Sequence, residues 1–278
     1  WIYTFHMPLF FFISGLFLEK LVKKPIWHVV VSRLKTIVYP YFLWSILQEL
    51  LRTAAGVRHQ PLSQLWEIVY TPLMQFWFLY VLLLVSMACV LLRKLKLPVE
   101  SISLLSGLFL ASIVINLNLG GWSVLYMARV YSLYFVAGAI CAKYGYLEAM
   151  AQRRSTTILR GAIAAFTLLT LAVLLKITPI PILNVVLAFT GIAATLMLSM
   201  FLDKAHRFSF LQTWGQRSLE IYLAHSIFSA TAAAAAYKLL GSDYLTVEVL
   251  LSLLAGMAGP LLLYQACQRW QLMFLFRL

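Results

Sequence analysis

The chain reads as an all-α, polytopic membrane helical bundle, and three observations predict this. Of its 278 residues, 63% are hydrophobic and only 11% are charged, with a mean hydropathy of +0.89. Soluble domains carry about 25% charged residues, so a soluble fold is excluded. Apolar runs near the roughly 20 residues that span a bilayer recur along the whole length. Finally, Lys and Arg collect in alternate loops.

About nine spans are visible. The first, near 1–18, ends before Lys20, Lys23 and Lys24, and the second, 37–54, follows Arg33 and Lys35. The third, 73–92, runs into Arg93 and Lys94; the fourth, 101–117, and fifth, 128–145, are separated by a short polar stretch. The sixth, 158–176, is preceded by Arg153 and Arg154, and the seventh, 182–202, ends at Lys204. The eighth, 217–237, starts at Arg217 and carries the small-residue tract Ala232 to Ala236; the ninth, 246–266, holds Gly256 and Gly259. Small residues let membrane helices approach closely. No long polar insert or internal repeat interrupts the series, so 1–278 is expected to be a single integral membrane domain. The chain begins at Trp1 inside an apolar run, and the reading expects an N-terminal truncation, with one further helix making ten spans.

Orientation follows from charge. With 19–36 inside and the loops alternating, 17 of the 22 Lys and Arg residues fall on the cytoplasmic side and 5 on the other. This places Trp1 outside and the C-terminal Leu278 in the cytoplasm. Trp27, Trp66, Trp122, Trp214 and Trp270 fall near span ends, where amphipathic rings belong. The net charge of +13 is therefore a topology signal, and no nucleic-acid partner is expected. Cys89, Cys141 and Cys267 lie far apart in apolar runs without metal-ligand spacing.

Polar residues inside spans carry the functional reading, because a bilayer tolerates them only with compensation. His6 precedes Pro8 in Phe5-His6-Met7-Pro8-Leu9, followed by Ser14 and Gly15. Pro8 removes a backbone donor and is expected to break the span. At about 1.5 Å per residue, His6 sits roughly 18 Å from the cytoplasmic end of its span. His225 closes the stripe Ser218, Tyr222, His225, spaced i, i+4, i+7 on one helix face. It comes to a similar depth, so that two imidazoles are expected to bracket one reaction centre. The competing reading of both is a polar stripe that only packs helices. Arg33, Lys35 and Tyr39 lead into the second span at the cytoplasmic face, where basic side chains pair with phosphates or simply anchor the topology. Arg129 stands on the outer side against the charge bias, either to bind substrate or to snorkel. Trp77, near the outer face, offers a ring for sugar stacking or an interface belt.

There is no Walker loop, no HExxH and no GxSxG elbow. No intramembrane carboxylate chain and no pair of matching broken helices marks a transporter.

Three stretches resemble the acyltransferase 3 family of integral membrane acyltransferases, in particular its fucose 4-O-acetylase-like branch. They are Phe5-His6-Met7-Pro8-Leu9-Phe10-Phe11-Phe12-Ile13-Ser14-Gly15, the basic lead Arg33-Leu34-Lys35 into Tyr39-Pro40-Tyr41, and the run from Gly215 through Ser218 and Tyr222 to His225. The resemblance implies transfer of an acyl group, usually acetyl, from cytoplasmic acyl-CoA to a hydroxyl of a cell-surface or exported glycan. It further implies a ten-span core, of which this chain corresponds to spans two to ten, and a bacterial inner (plasma) membrane location.

On that reading no cofactor is bound; acetyl-CoA or another acyl-CoA is a co-substrate. Its phosphates pair with Arg33 and Lys35, near Tyr39 and Ser14, and the acceptor, a glycan or lipid-linked sugar, enters past Arg129 and Trp77. A neutral imidazole, His6 first, removes the hydroxyl proton, while His225, Tyr222 or Ser218 donates to the oxyanion. The alternatives are a transporter or flippase for an oligosaccharide or lipid-linked sugar, which would turn over no acyl-CoA, and a structural subunit indifferent to loss of either histidine.

Overall fold

The computed structural model describes residues 1–56, 62–176, 181–205, 208–241 and 244–276. Among the described residues there are helices and no strand, so the chain is all-α. Among the described residues six helices are long and apolar enough to cross a membrane. Arg58, Arg207 and Arg277, three of the 22 basic residues counted for orientation, and the C-terminal Leu278 lie outside the described residues. The chain divides into two compact units, residues Trp1–Val29 with Val81–Arg207, and Val30–Tyr80 with Phe208–Leu278.

The first unit opens with a 3-10 turn, Ile2–Thr4, then α1 (His6–Gly15) and α2 (Leu18–Val22). The break expected within the first span falls at its start. Pro8 occupies the first turn of α1, where a missing N–H costs little because the first N–H groups have no helical partner. Next come α3 (Ile26–Arg33), which passes into the second unit, and α4 (Tyr39–Ala54), wholly within it. The first unit resumes in α5 (Trp77–Lys94) and continues through α6 (Val99–Val114), α7 (Ser123–Lys143), α8 (Tyr146–Ala151), α9 (Ser155–Leu174) and α10 (Pro181–Lys204).

Glycine sets how α1 meets α7. A Cβ on Gly15 would collide with the Phe135 carbonyl, and one on Gly138 with the Phe12 carbonyl. Each glycine thus admits the other helix's backbone, and Phe11 stacks on Tyr131 beside them at 4.9 Å. A pair of polar contacts ties the basic end of α5 to α2: Arg93 Nε lies 2.9 Å from Glu19 Oε1, and Lys94 Nζ donates to the Lys24 carbonyl at 2.8 Å.

The second unit adds α11 (Ser209–Gln216), α12 (Ser218–Leu240) and α13 (Leu245–Arg269) to α4. Gly256 and Gly259 face α12 as expected of small residues: a Cβ on either would meet the Ser229 hydroxyl or the Phe228 ring. Ser229 Oγ donates to the Ser252 carbonyl (3.0 Å) and Ser252 Oγ to that of Ser229 (3.2 Å), joining the two helices by reciprocal bonds. Phe276, 1% exposed, packs on Trp44 and Tyr264, and Trp44 Nε1 donates to the Leu275 carbonyl. The C-terminal segment is thereby fastened to α4.

Candidate active site

In the second unit, helix α4 is not followed directly by α5. The intervening stretch contains 3-10 helix over Leu62–Val69 and Met74–Phe76. Such backbone leaves carbonyls without α-helical donors, and an unpaired buried polar group costs about 1–3 kcal/mol. Three tyrosines supply the missing donors. Tyr41 donates to the Ile68 carbonyl at 2.5 Å, Tyr80 to that of Val69 at 2.8 Å, and Tyr222 to that of Gln75. Phe76 and Phe78 pack edge-on against the Tyr222 ring.

Gln75 is the hub of this arrangement. Its Nε2 donates to Gln48 Oε1 at 3.0 Å and to Ser226 Oγ at 2.7 Å. Tyr222 and Ser226, one turn apart on α12, therefore hold the backbone and the side chain of the same residue. Immediately before it, Met74 has φ +41, in the left-handed region that non-glycine residues seldom occupy.

His225 follows on the same helix and is half-buried. Its Nδ1 lies 2.7 Å from the Tyr222 carbonyl. A carbonyl only accepts, so the assignment puts the ring hydrogen on Nδ1, and the neutral imidazole keeps its lone pair on Nε2. In the first unit His6 repeats this pattern, with Nδ1 3.0 Å from the Ile2 carbonyl and the edge of the Tyr3 ring beside it. Each histidine is thus oriented by the turn before it, with Nε2 as the basic nitrogen.

Other residues marked by the sequence have different surroundings. Tyr222 was expected as an oxyanion donor, but its hydrogen is committed to Gln75. Ser218, the first residue of α12, is exposed, and Trp77 is half-buried at the start of α5. Ser14 Oγ donates to the Phe10 carbonyl at 2.8 Å, one turn back. Arg129, 7% exposed, donates from Nε to Ser112 Oγ (2.9 Å) and from Nη2 to the Leu117 carbonyl (3.1 Å). These bonds tie α7 to the carboxyl end of α6 and to the segment that follows it.

Arg33 is different again. It precedes a π-helical turn, Leu34–Val38, that leads into Pro40. Pro40 cannot close the ordinary bond to the Thr36 carbonyl, and a widened turn absorbs the loss. Arg33 Nε is buried with no hydrogen-bond partner among the described residues, and burial pulls the guanidinium below its usual pKa. Lys35 beside it is exposed and Tyr39 half-buried.

Sequence reasoning missed Gln48, Gln75 and Tyr80, and gave Tyr41 no role of its own. For Gln48 a signal existed: Ser45, Gln48 and Arg52 are spaced i, i+3, i+7 on one face of α4, a polar stripe akin to that of Ser218, Tyr222 and His225.

The long apolar helices are those of an integral membrane protein. A family model described as an acyltransferase domain matches residues 2–268, and the chain belongs to the acyltransferase 3 family. No curated protein and no solved structure matches it.

Proposed function

We propose that this membrane acyltransferase moves an acetyl or similar acyl group from cytoplasmic acyl-CoA to a hydroxyl of a cell-surface or exported glycan, as in the fucose 4-O-acetylase-like branch. The observation that carries the reading is the contact that Nδ1 of both His6 and His225 makes with a carbonyl of the preceding turn. An imidazole whose Nδ1–H is held by a carbonyl presents Nε2 as a general base.

The reaction balances without a metal. The base takes the proton of the acceptor hydroxyl as its oxygen attacks the thioester carbonyl. The tetrahedral oxyanion collapses, the C–S bond breaks, and the thiolate leaves as CoA, recovering the proton from the imidazolium. Ser218 or the second histidine is proposed to donate to the oxyanion. Arg33, with Nε buried and unpartnered, supports a phosphate-binding role; Lys35, Tyr39 and Ser14 are further proposed acyl-CoA residues. Trp77 and Arg129 are the proposed acceptor-side residues, Arg129 acting through the end of α6 and the segment after it, to which it is bonded. The proposed setting is a bacterial inner membrane with the C-terminus in the cytoplasm.

The test is transfer of label from acetyl-labelled acetyl-CoA to surface-glycan fragments by the purified full-length protein. Label in an ester-linked glycan product supports the reading. Absence of any CoA release, with folded protein and several glycan classes supplied, contradicts it.

A further inference from the structure

Between α4 and α12 of the second unit lies a groove of about 490 Å³, within the range of small-ligand pockets. Leu51, Ala55, Ile227, Ala230 and Ala234 give it apolar walls, and Arg52 is its only charged lining residue among those described. Arg52 Nη1 donates to the Met74 sulfur at 3.0 Å, and Gln48 Nε2 reaches the same sulfur at 3.5 Å. A thioether is a weak acceptor. Two strong donors thus converge on a poor partner, and no ion pair holds Arg52 among the described residues. Met74 itself is 55% exposed and carries the left-handed backbone noted above, so it occupies the donors without being packed in place.

We infer that this groove binds a single-chain lipid phosphate. The chain lies along Leu51, Ala55 and the α12 alanines; the phosphate takes the Arg52 and Gln48 hydrogens in place of the Met74 sulfur. A guanidinium fork suits phosphate oxygens, and charge-assisted bonds exceed those to a neutral sulfur. An arginine that merely snorkels to the interface needs no convergent amide and shows no preference among lipids. The inference is independent of the acyl-transfer reading, because it concerns binding alone.

The experiment measures saturable binding of radiolabelled dodecyl phosphate to the full-length protein in an uncharged steroid-glycoside detergent, which brings no competing alkyl chain. Arg52→Gln is expected to weaken binding about ten- to a hundredfold, and Arg52→Lys, which keeps the charge but loses the fork, by less. Ala230→Trp, which fills the groove and leaves Arg52 in place, is expected to abolish it. Dodecanol and inorganic phosphate should each compete poorly. Unchanged binding in Arg52→Gln, or equal competition by dodecanol, would show a purely apolar sink and overturn the proposal. Equal competition by inorganic phosphate would show a free-anion site and overturn the lipid assignment. Melting curves identify any variant that fails to fold, and the remaining two then decide.

Discussion

The hydroxyl of Tyr222 donates to the backbone carbonyl of Gln75 across 147 positions of the chain. One turn further along α12, Ser226 receives the Gln75 amide. A residue of the irregular stretch is therefore fixed, main chain and side chain, by the helix that carries His225. The bond makes Tyr222 a positioning residue.

Tyr222→Phe should leave the Gln75 carbonyl without its donor. The expected loss is about 1–3 kcal/mol of stability, read as a lower melting temperature of the purified protein, with a smaller effect on the rate of acyl transfer. A variant that melts like the parent but loses transfer by about 10²–10³ would instead restore the oxyanion role.

Gly15→Ala and Gly138→Ala should each be destabilising, because the added methyl meets backbone that cannot swing aside. Overpacking of this kind typically costs about 1–3 kcal/mol. Gly107→Ala, on a face of α6 with nothing within 4 Å of the new atom, is the control and should change stability in the opposite direction, by about 0.5–1 kcal/mol. Equal melting temperatures for all three would mean that α1 and α7 do not pack through their glycines.

How much of this was legible is clearest at these positions. The helical, membrane-spanning character follows from the length and apolarity of the runs, although of the nine expected spans six are long and apolar enough among the described residues to cross on their own; the Gly256–Gly259 contact follows from residue size, since only small side chains permit it. The His6 and His225 stripes were visible because a polar residue in an apolar run has few explanations. The roles of Tyr222 and Arg129 were not, because a hydrogen bond to a carbonyl distant in sequence leaves no periodic trace. Pro8 misled for a related reason: its consequence depends on whether a helix begins before or at it, and the 3-10 turn at Ile2–Thr4 decides that. The stretch 62–76 is apolar enough to pass for a span entrance, and its irregular backbone is stabilised by tyrosines from other helices.

Arg33→Met separates binding from stability. Removing a guanidinium whose Nε is buried without a partner relieves its desolvation, so the melting temperature should hold or rise. If Arg33 pairs with CoA phosphate, KM for acyl-CoA rises about tenfold or more while kcat changes little. An unchanged KM would leave Arg33 to topology alone.

Acid should weaken one surface tie. Hydrogen bonds from Lys143 (2.5 Å) and Tyr144 (2.7 Å) hold the Glu100 carboxyl, which precedes the apolar run 101–117, down to about 2. A carboxyl depressed below its unfolded value, about 4.3, contributes stability that is present above that value and lost as pH falls toward 2. The melting temperature of Glu100→Gln should therefore differ from the parent at pH 6 and converge on it toward pH 2. A difference independent of pH would show that the charge of Glu100 is not what counts.

The most direct test of the account is the rate of acetyl transfer from labelled acetyl-CoA by the full-length protein, beside His6→Ala and His225→Ala variants matched for melting temperature. If an imidazole Nε2 is the base, at least one variant loses about 10²–10⁴ of the rate while remaining folded. Full transfer by both folded variants would place the chemistry on other residues and contradict the account.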